Sequence, residues 1–161
     1  MKSPLFNVKL NIPDADSVGA FASKRSFYYH PGVDLYCLEG QAVTAVEAGI
    51  VVNVEIFTGA LADPPSPWWN ETMAILIEGQ SGALGYCELM AAPHIVPGYK
   101  IEEGELIGYV VPVLKKDKGN GTTMLHFEQY LSGSTGHVTW ELGKEKPASL
   151  LDPTELLKSL I

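Results

Sequence analysis

Met124-Leu125-His126-Phe127-Glu128-Gln129-Tyr130-Leu131 reads as one β-strand with two unlike faces. Met124, His126, Glu128 and Tyr130 fall on one side, and Leu125, Phe127 and Leu131 on the other. The apolar set calls for a core, so the opposite side displays an imidazole and a carboxylate. Two outcomes fit that display: a polar outer face with a hydrogen-bonded histidine, or half of a binding site.

The flanking sequence keeps the same character. Gln41 to Val46 and Ile50 to Phe57 are β-branched runs around Glu47-Ala48-Gly49, the pattern of a hairpin. Met73 to Glu78 and Leu84 to Leu89 read as strands joined at Gln80-Ser81-Gly82. Thr58 to Pro67 is a Gly-, Pro- and Asp-rich loop ending in Trp68-Trp69, a pair that either lines a groove or closes the core at a sheet edge. Lys115 to Gly121 reads as a polar loop. At the C-terminus, Asp152-Pro153-Thr154-Glu155 combines a cap, a proline and a glutamate, which predicts a short helix through about Leu160. No other segment has helical periodicity. The sequence predicts one all-β domain over 1–161: an irregular lead-in (1–26), a strand-rich core (27–131) and a turn-rich tail with the terminal helix (132–161).

With 161 residues, 46% hydrophobic and 19% charged, the chain is long enough to bury a core and too apolar for disorder. A net charge of −8 argues against nucleic acid, which calls for a basic face. No apolar run reaches the ~18 residues that span a bilayer, and Met1 to Asp14 lacks the basic-then-apolar pattern of a signal peptide. The expected location is therefore cytoplasmic, with a non-classical export route or a phage association as alternatives. Cys37 and Cys87 sit in strand-like contexts and read as buried thiols, with a disulfide or a metal-binding role left open. His94 and His137 fall in loops and read as surface histidines.

A second segment complements the first. His30-Pro31-Gly32-Val33-Asp34 would hold its imidazole and carboxylate about 13 Å apart if straight. Pro-Gly folds it, so both groups can converge. With His126 this gives two imidazoles and a carboxylate, a set able to hold Zn²⁺ with one position left open. A surface turn is the alternative reading of His30 to Asp34.

The order of several short motifs resembles the lysostaphin-type zinc metallopeptidases. They are His30-Pro-Gly-Val-Asp34, Gln41 to Ala45 with Gly49, Tyr86-x-Glu88-Leu89, Val96-Pro-Gly98 with Glu103-Gly104-Glu-Leu-Ile-Gly108, and Leu125-His126-Phe-Glu128. The match runs from Tyr29 to Tyr130, with Asp152 to Leu156 added. The resemblance implies an antiparallel β-sandwich or barrel-like duplicated hybrid motif and zinc-dependent cleavage of peptidoglycan peptides. It makes His30, Asp34 and His126 the zinc ligands. Two positions depart from the family pattern: Glu88 and Met124 stand where histidines are usual. Glu88 can still act as the base beside the metal. Tyr86 either donates to the tetrahedral intermediate in place of the second histidine or packs across the strands, and Glu128 either orients a ligand histidine or faces solvent. A zinc-binding module without catalysis is the competing reading. The rhythm of Val96 to Gly108 also suggests a biotinyl-type carrier, but no lysine stands between hydrophobic neighbours at a hairpin tip.

Overall fold

Three neighbouring strands set the frame of the molecule, a computed structural model that describes residues 1–116 and 121–161. Most of the loop expected at Lys115 to Gly121 lies outside the described residues. The elements are β1 (Tyr28–Tyr29), β2 (Val33–Tyr36), β3 (Ala42–Thr44), β4 (Gly49–Thr58), β5 (Thr72–Gly79), β6 (Gly82–Ala91), β7 (Lys100–Ile101), β8 (Leu106–Val110), β9 (Met124–Tyr130), β10 (Trp140–Glu141), β11 (Leu150–Leu151) and α1 (Thr154–Lys158).

The central strand β9 is antiparallel to β6 along one edge; along the other it pairs with β2 and then β11. On its far edge β6 continues into β5, β4 and β7, and near its C-terminal end it also takes up β8, which pairs with β3. These pairings form an open, branched sheet, not a closed barrel, and β1 with β10 makes a separate two-stranded ribbon.

Alternation sorts the side chains of this sheet. Val33, Leu35, Leu84, Tyr86, Leu125 and Phe127 enter the main core with Ile75, Ile77 and Leu89. On the opposite face, Ala83, Tyr130, Leu76 and Leu150 form a smaller cluster. Leu5 and Leu10 of the lead-in also reach the main core.

Two expectations change. The runs around Glu47-Ala48-Gly49 do not form a hairpin: β3 pairs with β8, whereas β4 pairs with β5 and β7. Alternation fixes which face is apolar but not which strand lies alongside. The terminal helix forms but stops at Lys158, and it starts one residue later than expected: Pro153 is its N-cap, without a side-chain cap, while the Asp152 carboxylate accepts the Thr154 N–H at 2.9 Å from before it.

Candidate metal centre

Asp34 on β2 and Cys87 on β6 are the register partners of His126 on either side of β9. The antiparallel pairing thus lays one row of chemistry-bearing side chains across three strands. His30 joins them from the turn before β2. Its backbone N–H donates to the Ser23 carbonyl, and its own carbonyl accepts the Ala22 N–H, both at 2.9 Å. The lead-in, read from sequence as irregular, is therefore the wall that holds the first histidine.

His30 Nε2, Asp34 Oδ1 and His126 Nδ1 form a triangle with sides of 3.0, 2.9 and 3.1 Å. A tetrahedral zinc with bonds of 2.0–2.1 Å separates its ligand atoms by roughly 3.3 Å, so the triangle is close to what such an ion requires. The remaining ring nitrogens are already committed. His30 Nδ1 donates to the Ala20 carbonyl at 2.9 Å, and His126 Nε2 donates to Glu128 Oε1 at 3.0 Å. With those nitrogens committed, it is the other nitrogen of each histidine that faces the centre of the triangle, where it would give up its proton to bind a metal. The donor set fits zinc in chemistry and in spacing.

Close packing makes this convergence possible. A side chain at Gly32 would run into the Phe127 carbonyl and come within 2.9 Å of His126 Cε1. Gly32→Ala should lower stability by about 1–3 kcal/mol and weaken metal binding, measured by urea denaturation and zinc titration.

The charges are coupled. Burial disfavours ionised Asp34, but hydrogen bonds from His126 and His30 outweigh it and hold the carboxyl well below its ordinary range. Glu128 follows the same pattern, with His126 and His137 as donors. Burial opposes an imidazolium at His126, yet hydrogen bonding to Asp34 and Glu128 raises it well above its ordinary value of 6.5. Asp34 and Glu128 therefore contribute stability fully above about pH 4.5, and that contribution is lost as pH falls. The His126 contribution is full below about pH 6.5 and is lost as pH rises through its elevated folded value. Stability of the metal-free protein should peak between about pH 4.5 and 6.5 and decline on both sides, read as the urea midpoint in chelator.

Glu88 reaches the site through a bulge. Met73 pairs with Leu89 and Ala74 with Cys87, which leaves Glu88 as the extra residue, with φ at +67°. For a non-glycine residue this left-handed backbone costs of order 1–3 kcal/mol. Its carboxyl lines the cleft that holds the ligand triangle. Burial, reinforced by the charges of Asp34 and Glu128 and opposed by His126 and Arg25, pushes it up to about 7.

The cleft has a volume of about 900 Å³ and includes Tyr28, Phe57, Trp69 and Trp140 in its walls. Met124 lines it beside its register partner Tyr36. Arg25, which sequence reasoning passed over, donates to Asp34 Oδ2 at 3.3 Å.

No family model and no curated protein matches the sequence. Solved structures do match. A solution structure of lysostaphin aligns over 99% of this chain at 16% identity and a TM-score of 0.62, with this chain spanning 54% of it. The catalytic domain of lysostaphin from Staphylococcus simulans, an antimicrobial peptidase, aligns over 88% of this chain and 90% of its own length, at 18% identity and a TM-score of 0.57. The chain has the lysostaphin-type peptidase fold. A zinc-containing peptidase from Vibrio cholerae shares that fold over 89% of this chain and 39% of its own, at 17% identity and a TM-score of 0.54.

Within this lysostaphin-type fold, some of the residues singled out in the sequence lie elsewhere than expected. Tyr86 does not reach the cleft. It is fully buried on the opposite face, and its hydroxyl accepts the Val46 N–H at 2.9 Å. The bulge explains why: simple alternation would put residues 86 and 88 on one face, and the extra residue breaks that parity. His137 is not a surface histidine. It packs over Glu128, donating from Nδ1 to Glu128 Oε2, and stands 3.8 Å from Cys87 Sγ. Cys37 and Cys87 are both free thiols. Glu128 is buried and oriented by His126, His137 and the Tyr130 hydroxyl, so it does not face solvent. Trp69 lines the cleft and Trp68 is exposed, while His94 stays at the surface beside Glu105.

Proposed function

We propose that the protein is a zinc-dependent hydrolase that cleaves peptides of the bacterial cell wall. The observation that carries this reading is the ligand triangle itself, gathered from distant parts of the chain at the floor of a cleft in a lysostaphin-type fold. His30 Nε2, Asp34 Oδ1 and His126 Nδ1 would hold the ion. Zinc bound there supplies Lewis acidity, polarising a peptide carbonyl and making a water more acidic.

The chain's own residues perform the proton work. Glu88 accepts the proton of the attacking water and passes it to the departing amine, the task a histidine performs in the family pattern. Burial, which lifts its carboxyl above the ordinary carboxylate range, makes it a better proton acceptor than a free glutamate. Glu128 fixes the His126 ring, and Arg25 secures the second oxygen of Asp34. With Met124 unable to donate and Tyr86 turned into the core, Tyr36, the register partner of Met124, and Arg25 are cleft-lining groups that can donate in place of the missing histidine. The aromatic walls suit a peptide or glycan strand.

Met124 also favours the other reading, a zinc-binding module without catalysis. One experiment separates the two. Zinc-loaded protein is incubated with purified peptidoglycan, and new amino termini are counted by dinitrophenylation and mass spectrometry. Hydrolysis predicts new termini that vanish on chelation and return with zinc. Intact wall peptides beside protein with a filled site would establish the binding module instead.

A further inference from the structure

A second cluster of ligating side chains lies beside the first and shares only Glu128 with it, whose Oε1 accepts from His126 while its Oε2 faces the other way. Cys87 Sγ, Glu128 Oε2 and His137 Nδ1 approach one another from β6, β9 and the loop after β9. We propose that these three residues form a second divalent-metal site, suited to a thiophilic ion such as zinc. This inference stands apart from the hydrolase reading, since it concerns different ligand atoms.

Three observations support it. The spacing is near what an ion needs: the three ligand atoms lie within 4.8 Å of one another, Cys87 Sγ is 3.8 Å from His137 Nδ1, and the imidazole has to draw back from its short contact with Glu128 Oε2 to admit the ion. A tetrahedral zinc with a 2.3 Å bond to sulfur and one of about 2.0 Å to nitrogen needs these atoms roughly 3.5 Å apart. The space is also prepared. Gly85 is the register partner of Glu128, and a side chain there would come within 3.1 Å of His137 Cε1 and 3.2 Å of Glu128 Oε2. A side chain there would crowd the imidazole against the carboxylate, and glycine leaves both their room.

The third observation is an unanswered polar atom. His137 Nε2 is buried without a hydrogen-bond partner, and the Glu55 carboxylate stands 3.6 Å away. A ligand histidine ordinarily donates its other N–H to a carboxylate. Binding through Nδ1 would place the ring proton on Nε2, facing Glu55. His126 already shows this arrangement, with Nδ1 toward its site and Nε2 on Glu128. On metal binding the Cys87 thiol gives its proton to solvent, and the ion takes the position between His137 and Glu128 that a hydrogen bond now occupies. Glu128 and His137 line the cleft, which gives the ion its way in.

Cobalt titration of the metal-free full chain, followed by absorbance, tests this. The expected result is two equivalents per chain and a thiolate-to-cobalt charge-transfer band in the near ultraviolet. Cys37→Ser should keep the band, whereas Cys87→Ser should lose it and bind one equivalent. His137→Gln, a milder change at the cleft surface, should weaken the band-forming site at least about tenfold. His30→Ala should empty the first site and leave the band intact, so the two sites fail or succeed separately. One equivalent without a band in the wild type would overturn the proposal and leave Glu128–His137 as a hydrogen-bonded pair only. A band lost in Cys37→Ser but kept in Cys87→Ser would overturn it as well. A band in a protein that cleaves no wall peptide would leave this site standing and remove the hydrolase reading alone.

Discussion

Glu88→Gln should lower the rate of wall-peptide cleavage by about 10²–10⁴-fold while leaving the zinc content at the wild-type level, the span a positioned general base contributes. The substitution preserves shape and removes only the ability to take a proton. Glu88 belongs to the cleft and not to the ligand triangle, so metal retention is part of the expected result. Its ionisation also sets the acid side of the rate profile. The carboxyl stands near 7 without metal, and a dication nearby draws it lower, so activity should rise with pH as Glu88 ionises and reach its plateau at or below about pH 7. In Glu88→Gln that acid limb should disappear from the residual rate. An unchanged rate would remove Glu88 from the chemistry.

The same position allows a sharper test of strain. At φ +67° glycine is at ease and glutamate is not. Glu88→Gly should therefore match or exceed the wild type in stability while losing as much activity as the glutamine variant. That pairing of gained stability and lost rate is expected of a residue held in a strained conformation for its chemistry. A clear loss of stability in Glu88→Gly would mean the glutamate has a structural role.

His126→Ala should have the largest effect of any single change in the site. His126 is buried between the Asp34 and Glu128 carboxylates, each about as buried as itself. Removing it strips the first metal site of a ligand and leaves two carboxylates short of a partner. Breaking a buried ion pair from one side costs about 3–5 kcal/mol, and here the imidazole serves two acids at once. The expected outcome is loss of zinc from the first site and a drop of at least that size in unfolding free energy near neutral pH, by urea denaturation in chelator. The deficit should shrink in acid, where protonation relieves the two carboxylates. A stable variant that still held zinc through His30 and Asp34 would contradict the account.

Much of this site was legible because period-2 alternation governs β9 and β2. Placing Leu125 and Phe127 inward puts His126 and Glu128 on the other face, and the His30 to Asp34 turn needed only Pro31-Gly32 to fold back. What stayed hidden depends on events that leave no periodic trace. The bulge at Glu88 inverts the parity of β6, which sends Tyr86 into the core against the expectation from i, i+2 spacing. His137 and Arg25 sit in irregular segments, where only the finished fold shows what they touch. The partner of β3 was likewise set by the packing of β8, more than sixty residues downstream. Motif order found the fold despite identities of 16–18% to the solved structures, since the residues that shape the site are few and widely spaced.

Crystals of zinc-loaded protein measured on both sides of the zinc absorption edge test most directly whether His30, Asp34 and His126 hold a metal. The predicted result is an anomalous peak within bonding distance of His30 Nε2, Asp34 Oδ1 and His126 Nδ1. A loaded crystal whose anomalous density leaves that triangle empty would contradict the account.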